Sequence, residues 1–356
     1  MKILITAPRL NEDENVSGIA SLVRGIIARG KNEYVHFVAG RKDGEGSGIR
    51  WLFRQTFLPF LYRRTIKRAS PVVVHLNTSF EPRAIIRDSV LAAATPKDIR
   101  LLLHVHGGRF VLNEYPSAVI AARANQMLRS AQKIIVLSDA EKHSILRRVP
   151  DLSIEVMPNA VSTADIPFVQ RTNSRRTILY FGRIDMPKGL QEIVAACRTL
   201  VEQGIEFRFT CCGTGPAEGY FVNEMKSVLS DRFEHRGVVK GVEKWSVLSS
   251  ADIFLLPSKF EGLPIALLEA MAAGCIPVVS NVGAMAEAVA DDVSGYIVEP
   301  GNVDQIVDKL KMLLSKDQTE LSEMRRLARA TTEERYDMAG YVENLENLYA
   351  SMLDKK

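Results

Sequence analysis

No run in this chain approaches the roughly 20 apolar residues that a membrane-spanning helix needs, although 46% of its 356 residues are hydrophobic. A helical membrane protein is therefore not expected. The opening Met1-Lys2-Ile3-Leu4-Ile5-Thr6-Ala7-Pro8 is too short for the apolar core of a signal peptide and reads as a first strand. Cysteine is scarce. Cys197, Cys211, Cys212 and Cys275 show no metal-type spacing, so neither a zinc site nor a disulfide framework is expected, and a reducing cytoplasm is the simplest setting. There is no Asp-x-Asp pair to hold a divalent ion, no internal repeat and no low-complexity segment. Gly213-Thr214-Gly215-Pro216 lacks the spacing of a dinucleotide fingerprint and reads as a tight turn against which a ligand or another backbone can pack. The net charge of +4 is modest and does not imply nucleic acid.

What is present is a regular alternation of short apolar runs and helical patterns, the signature of parallel sheets covered by helices. The first half offers strands at Lys2–Thr6, Tyr34–Ala39, Val72–Leu76, Leu101–Val105, Lys133–Leu137 and Ile154–Met157. The second half offers Thr177–Phe181, Phe207–Cys211, His235–Val238, Ile253–Leu256, Ile276–Val279 and Gly295–Val298. Two sets of this kind predict two doubly wound, Rossmann-like α/β domains, at 1–160 and 175–335. The polar stretch Pro158–Ser174 reads as the linker between them. Tyr341, Leu345, Leu348, Tyr349 and Met352 recur at helical spacing near the end, so 336–356 is expected to form an amphipathic helix.

The most specific string is Phe260-Glu261-Gly262-Leu263-Pro264-Ile265-Ala266-Leu267-Leu268-Glu269-Ala270-Met271-Ala272-Ala273-Gly274. Pro264 suits the first helical position and Gly274 the end. Glu261 then lies in the loop before the helix and Glu269 inside it. The amides of Gly262 and Leu263 would be unpaired and would polarise an anion site between two carboxylates. A second strand–loop–helix unit, Tyr180 to Leu190, carries Arg183 and Lys188, two cations able to clamp a diphosphate.

The two glutamates with seven residues between them, together with Gly182-Arg183 and Lys188-Gly189, resemble the donor site of retaining glycosyltransferases of the GT-B fold, family GT4. That resemblance implies two Rossmann-like domains facing a central cleft, with the last helix crossing back to the first domain. Arg183 and Lys188 would hold the diphosphate, Glu261 would meet the donor sugar, and Glu269 would accept hydrogen bonds from the ribose. Gly262, Leu263 and Pro264 would line the anion, and Gly213 and Val238 would lie by the nucleotide. No metal or other cofactor is expected.

In the first half, His104-Val105-His106-Gly107-Gly108-Arg109 ends a strand. The resemblance places His106 by the donor sugar or reacting centre, with His104 on the same strand face as a supporting residue. Gly18 would lie against the acceptor and the donor phosphate, although Ser17 stands where the family commonly has a second glycine. The preceding Glu12-Asp13-Glu14 reads as a solvated loop tip or as an acceptor determinant.

Residues 50–68 contain no acidic side chain. Arg63, Arg64, Lys67 and Arg68 would share a helical face, with Trp51, Phe53, Phe57 and Phe60 nearby. Two readings fit: an interfacial segment on anionic lipid, or a surface helix whose aromatics pack on the sheet. The implied reaction is hexose transfer from a nucleotide-diphosphate sugar, UDP favoured over GDP, to a glycan or lipid-linked glycan acceptor in bacterial surface-polysaccharide assembly. It would take place in the cytoplasm or on the inner face of the plasma membrane. The alternatives are a nucleotide-sugar epimerase, a glycan phosphorylase (for which no dedicated lysine stands out) and an inactive sugar-nucleotide-binding subunit.

Overall fold

A computed structural model describes residues 1–40, 49–169, 171 and 176–354, with the side chains of the helix Ile49–Ala69 described from Thr56 onward. Trp51 and Phe53 lie outside the described side chains, and 170 and 172–174 of the stretch read as a linker lie outside the described residues. The chain forms two compact units, Met1–Ala160 with Met338–Lys356, and Val161–Asp337.

The first unit is built on β1 (Lys2–Ala7), β2 (Glu33–Val38), β3 (Val73–Thr78), β4 (Arg100–Val105), β5 (Lys133–Val136) and β6 (Ile154–Val156). They form one parallel sheet in the order β2-β1-β3-β4-β5-β6. β3 is buried along its whole length and β1 nearly so, which is why apolar residues do not alternate with exposed polar ones there, and the polar Thr6, His75, Asn77 and Thr78 are buried too. The helix Met338–Asp354 belongs to this unit. Tyr341, Val342, Leu345, Leu348, Tyr349 and Met352 join Ile3, Ile5, Val73 and Leu102 in one core.

The second unit is built on β7 (Thr177–Phe181), β8 (Arg208–Cys212), β9 (Phe233–His235), β10 (Ile253–Leu256), β11 (Ile276–Ser280) and β12 (Tyr296–Val298). Its parallel order is β12-β11-β10-β7-β8-β9, the doubly wound order in which the chain reverses direction across the sheet between β7 and β10. Loops at the carboxyl ends of those two strands are where such a sheet binds ligands.

Three expectations need correction. β9 ends at His235 rather than Val238, because Gly237 turns into the left-handed region (φ 63°) and gives its carbonyl to the Gly213 N–H at 2.6 Å. Pro264 is the N-cap, not the first helical residue: its backbone is extended (ψ 129°) and the helix runs Ile265–Ala272. The stretch after Ala160 is folded into the second unit rather than being a polar linker. Arg171 is buried and donates to the carbonyls of Leu248, Ser249, Ala273 and Gly274, capping the ends of two helices. Tyr336 and Asp337 also stay with this unit, through Val161 N–H to the Tyr336 carbonyl at 2.9 Å and Thr163 to Asp337.

All four cysteines are free and buried, and burial pushes each thiol above its ordinary range.

Candidate active site

In the second unit the loops after β7 and β10 meet. Lys188 ends a short 3-10 turn, Met186–Lys188, which Asp185 caps through its side chain. Gly189 follows with φ 79°, and a Cβ there would sit 2.1 Å from the Pro257 carbonyl oxygen. Only glycine permits that approach, and it brings the Lys188 loop onto the end of β10. The Lys259 N–H closes the junction by donating to the Pro187 carbonyl at 2.8 Å. As a result Lys188 Nζ pairs with Glu261 Oε1, which also accepts from Ser258 Oγ at 3.1 Å.

Glu269, 5% exposed on the helix Ile265–Ala272, has Lys244 Nζ 2.5 Å from its Oε1. Lys244 lies in turn over the Trp245 ring, 4.5 Å from its centroid. Each carboxylate of the motif is therefore held by a lysine, one from the neighbouring loop and one from the helix Gly241–Ser250.

Arg183 is the contrast. Its side chain is 66% exposed, with only a 3.7 Å approach to Asp185. Its backbone is fixed instead, by the buried Tyr180 hydroxyl donating to the Arg183 carbonyl at 2.6 Å. Burial and the nearby Glu261 and Asp185 carboxylates push that phenol up, so it remains a donor. The space beside Gly213 is filled by backbone: a Cβ there would lie 1.9 Å from the Gly182 oxygen. Of the two uses expected for that turn, close approach of another strand's loop is the one the structure displays. Val238 is 42% exposed in the loop after β9. Leu263 is buried and engaged, and the Gly262 carbonyl accepts from the Ala284 N–H at 3.0 Å, so this segment is more tied down than an open amide pair.

In the first unit His106 follows β4. Gly108 (φ 122°) packs so closely that a Cβ would come 2.2 Å from the Ser79 oxygen. His106 Nε2 lies 2.6 Å from Asn77 Oδ1. The His104 ring lies against His106, tilted by 31° with centroids 3.8 Å apart, and its Nδ1 lies 3.2 Å from His75 Nε2. His75 Nδ1 reaches the Tyr349 hydroxyl at 2.6 Å. Burial lowers all three histidines: His106 to about 4, His75 to about 3, and His104 well below its ordinary value.

Gly18 opens the helix Gly18–Arg29. Ser17 caps it, and the Asn15 side chain holds Ser17. Glu12 and Glu14 are not a bare solvated tip: they pair with Arg24 at 3.3 Å and Arg9 at 3.1 Å. Sequence reasoning missed Lys244, Ser258, His75 and Asn77. A lysine beside a tryptophan near the start of a helix was the available signal for Lys244.

The profile described as "Glycosyl transferases group 1" matches residues 162–334, and that of "Glycosyltransferase Family 4" matches 22–165. The chain belongs to the group 1 glycosyltransferases. Among relatives of this family, the putative colanic acid biosynthesis glycosyltransferase WcaL of Escherichia coli K12 is 36% identical over 164 residues, 44% of this chain and 40% of that protein. The 2-deoxystreptamine glucosyltransferase of Streptomyces kanamyceticus is 28% identical over 228 residues, 64% of this chain and 56% of that one. The chain thus aligns with roughly half the length of such relatives or less. The GT-B fold is shared with sucrose-phosphate synthase of Thermosynechococcus elongatus (TM-score 0.81, 16% identity, all of both chains). It is also shared with HepE of Anabaena, solved with UDP-glucose (TM-score 0.75, 16% identity, 99% of this chain and 100% of that one).

Proposed function

We propose that this glycosyltransferase moves a hexose, with retention, from a UDP-sugar to a glycan acceptor in surface-polysaccharide assembly. The observation that carries the reading is the pair of lysine-held carboxylates, Glu261 with Lys188 and Glu269 with Lys244, beside the switch between β7 and β10. An ammonium and a carboxylate that neutralise each other at rest can exchange partners when a donor enters. The diphosphate takes Lys188 and the exposed Arg183, and Glu261 turns to the sugar hydroxyls. Glu269 accepts from the ribose, with Lys244 fixing its carboxylate. As the diphosphate leaves, Arg183 and Lys188 stabilise the charge that grows on it. The acceptor hydroxyl attacks from the face the diphosphate leaves, and the role assigned to His106 is to serve the sugar or the reacting centre. Relatives named for colanic acid and amylovoran biosynthesis support a polysaccharide acceptor. The complex of HepE with UDP-glucose supports a UDP-sugar.

A lipid-linked acceptor and a peripheral membrane position fit the helix Ile49–Ala69. Leu58, Tyr62 and Ile66 turn inward, with Tyr62 edge-on to Phe37. Phe57 and Phe60 are 61% and 65% exposed, and Arg64, Lys67 and Arg68 are exposed beside them. Large aromatics left in water next to cations suit an anionic lipid surface. Among the described residues no helix is long and apolar enough to cross a membrane.

Calorimetric titration of UDP, GDP and ADP tests the donor site. UDP should bind best, and Glu269→Ala should weaken it at least about tenfold, about 1.4 kcal/mol. Equal binding by the variant would remove Glu269 from the ribose. Co-sedimentation with phosphatidylglycerol vesicles should be lost when Arg63, Arg64, Lys67 and Arg68 are all replaced by Ala, and retention would refute the membrane reading.

A further inference from the structure

Asn77 is fixed from two sides. Its backbone N–H donates to Thr6 Oγ1 at 2.9 Å, and its side-chain Nδ2 donates to the Thr6 carbonyl at 2.7 Å. A carbonyl oxygen only accepts, so the amide edge facing Thr6 must be the NH2. The flipped amide would set two carbonyl oxygens against each other. Asn77 Oδ1 therefore faces His106, and at 2.6 Å it requires a proton on Nε2. Asn159 is the ring's other polar neighbour. Placing the single proton on Nδ1 instead would leave Nε2 and Asn77 Oδ1 as two lone pairs at 2.6 Å. The remaining ionisable groups packed around the ring are His104, His75 and, behind them, Tyr349, all buried.

We propose that Asn77 is a positioning residue that locks His106 in its Nε2–H tautomer, so that the ring meets a substrate hydroxyl through Nδ1 as an acceptor. This rests on the reading of His106 as facing the sugar or the reacting centre. It also says what kind of contact the ring makes: it accepts from an OH and does not donate to a phosphate. Burial, which lowers His106 to about 4, keeps the ring in this single-proton form at neutral pH. The lock joins β1, β3 and the end of β4 through Thr6, Asn77 and His106, so the tautomer is set by the sheet itself.

The test is long-range proton–nitrogen NMR on the full chain labelled with 15N-histidine, with His106 assigned by its loss in His106→Gln. In the wild type at pH 7.5, Nε2 of His106 should carry the protonated signature and Nδ1 the lone-pair signature. Asn77→Asp loses the donor to the Thr6 carbonyl, but its other oxygen still accepts from Nε2 and adds charge, so the Nε2–H signature should persist while the apparent pKa of His106 rises by about one unit or more. Asn77→Leu should give a mixture of tautomers. A lone-pair signature at Nε2 in the wild type, or spectra unchanged in Asn77→Leu and Asn77→Asp, overturns the proposal. UDP release from UDP-glucose supplies the second arm. Asn77→Leu should lower kcat by about tenfold or more with KM changed less than about twofold, and an unchanged kcat overturns the use of the locked ring in turnover. The spectra need no donor, so absent UDP release by the wild type would count against the donor reading, and the spectra alone would then decide the tautomer.

Discussion

Two sheets of related winding end in polar sites held in opposite ways. Beyond β7 and β10, half-buried charges are held in compensating pairs, Lys188 with Glu261 and Lys244 with the buried Glu269. Beyond β3 and β4, ionisable rings are kept neutral, with His75, His104 and His106 bonded or stacked among Tyr349, Asn77 and each other. A paired charge can trade its partner for a phosphate without creating a bare buried ion. A neutral ring with a fixed proton suits a hydroxyl, which needs direction rather than charge. The two sites, each within its own unit, are thus suited to different chemistry: an anion in the second unit and an uncharged hydroxyl in the first.

The largest expected break in this comparison comes with acid. An unfolded histidine titrates near about 6.5, whereas His106 and His75 are lowered to about 4 and about 3. Between those values the unfolded state binds more protons. Stability is therefore complete above about pH 6.5 and falls below it by about 1.4 kcal/mol per pH unit for each histidine. At pH 5 the two together should cost about 4 kcal/mol. Hydrogen-exchange protection factors in β3 and β4 should drop between pH 7.5 and pH 5 while those in β7 and β10 hold, and a uniform fall in both units would erase the contrast.

Next in size is Lys188→Ala. It removes the proposed diphosphate ligand and strands Glu261, so turnover of the donor should fall by about 10²–10³-fold. A loss under tenfold would mean that the pair is structural. Leu345→Ala opens a cavity in the core that the last helix shares with β1 and β3, and should cost about 2–5 kcal/mol. Its exchange signature should be confined to the first unit. The smallest effect is expected of Asp317→Ala, which deletes the capping box of the helix Gln318–Arg335. It should cost about 1 kcal/mol, seen only in second-unit melting, with donor binding unchanged.

The strands were readable because buried parallel strands leave largely apolar runs: eleven of the twelve runs coincide with a strand, and the twelfth, His235–Val238, meets Phe233–His235 only at His235. The errors fall where backbone conformation, not pattern, decides: Gly237 stops β9, and Pro264 caps rather than enters its helix. The motif carboxylates were readable because they share one strand–loop–helix unit. Lys188 was readable as a loop cation but not as the partner of Glu261, and Lys244 was not readable at all, since both come from other crossovers. Asn77 and His75 were hidden for the same reason, being brought to His106 and His104 by the register of β3 on β4. Arg171 looked like a polar linker residue because nothing local shows the four carbonyls it would find.

The four sealed cysteines have an experimental use. With every native thiol buried and carrying almost no thiolate at neutral pH, maleimide dyes have no native target in the folded chain. A single added thiol can therefore be labelled in an otherwise unaltered protein. Val242, 86% exposed two residues before Lys244, would put a fluorophore beside the proposed ribose site, and Phe60 would put one on the aromatic face of the basic helix. Nucleotide and lipid could then be followed separately, by colour, on one enzyme.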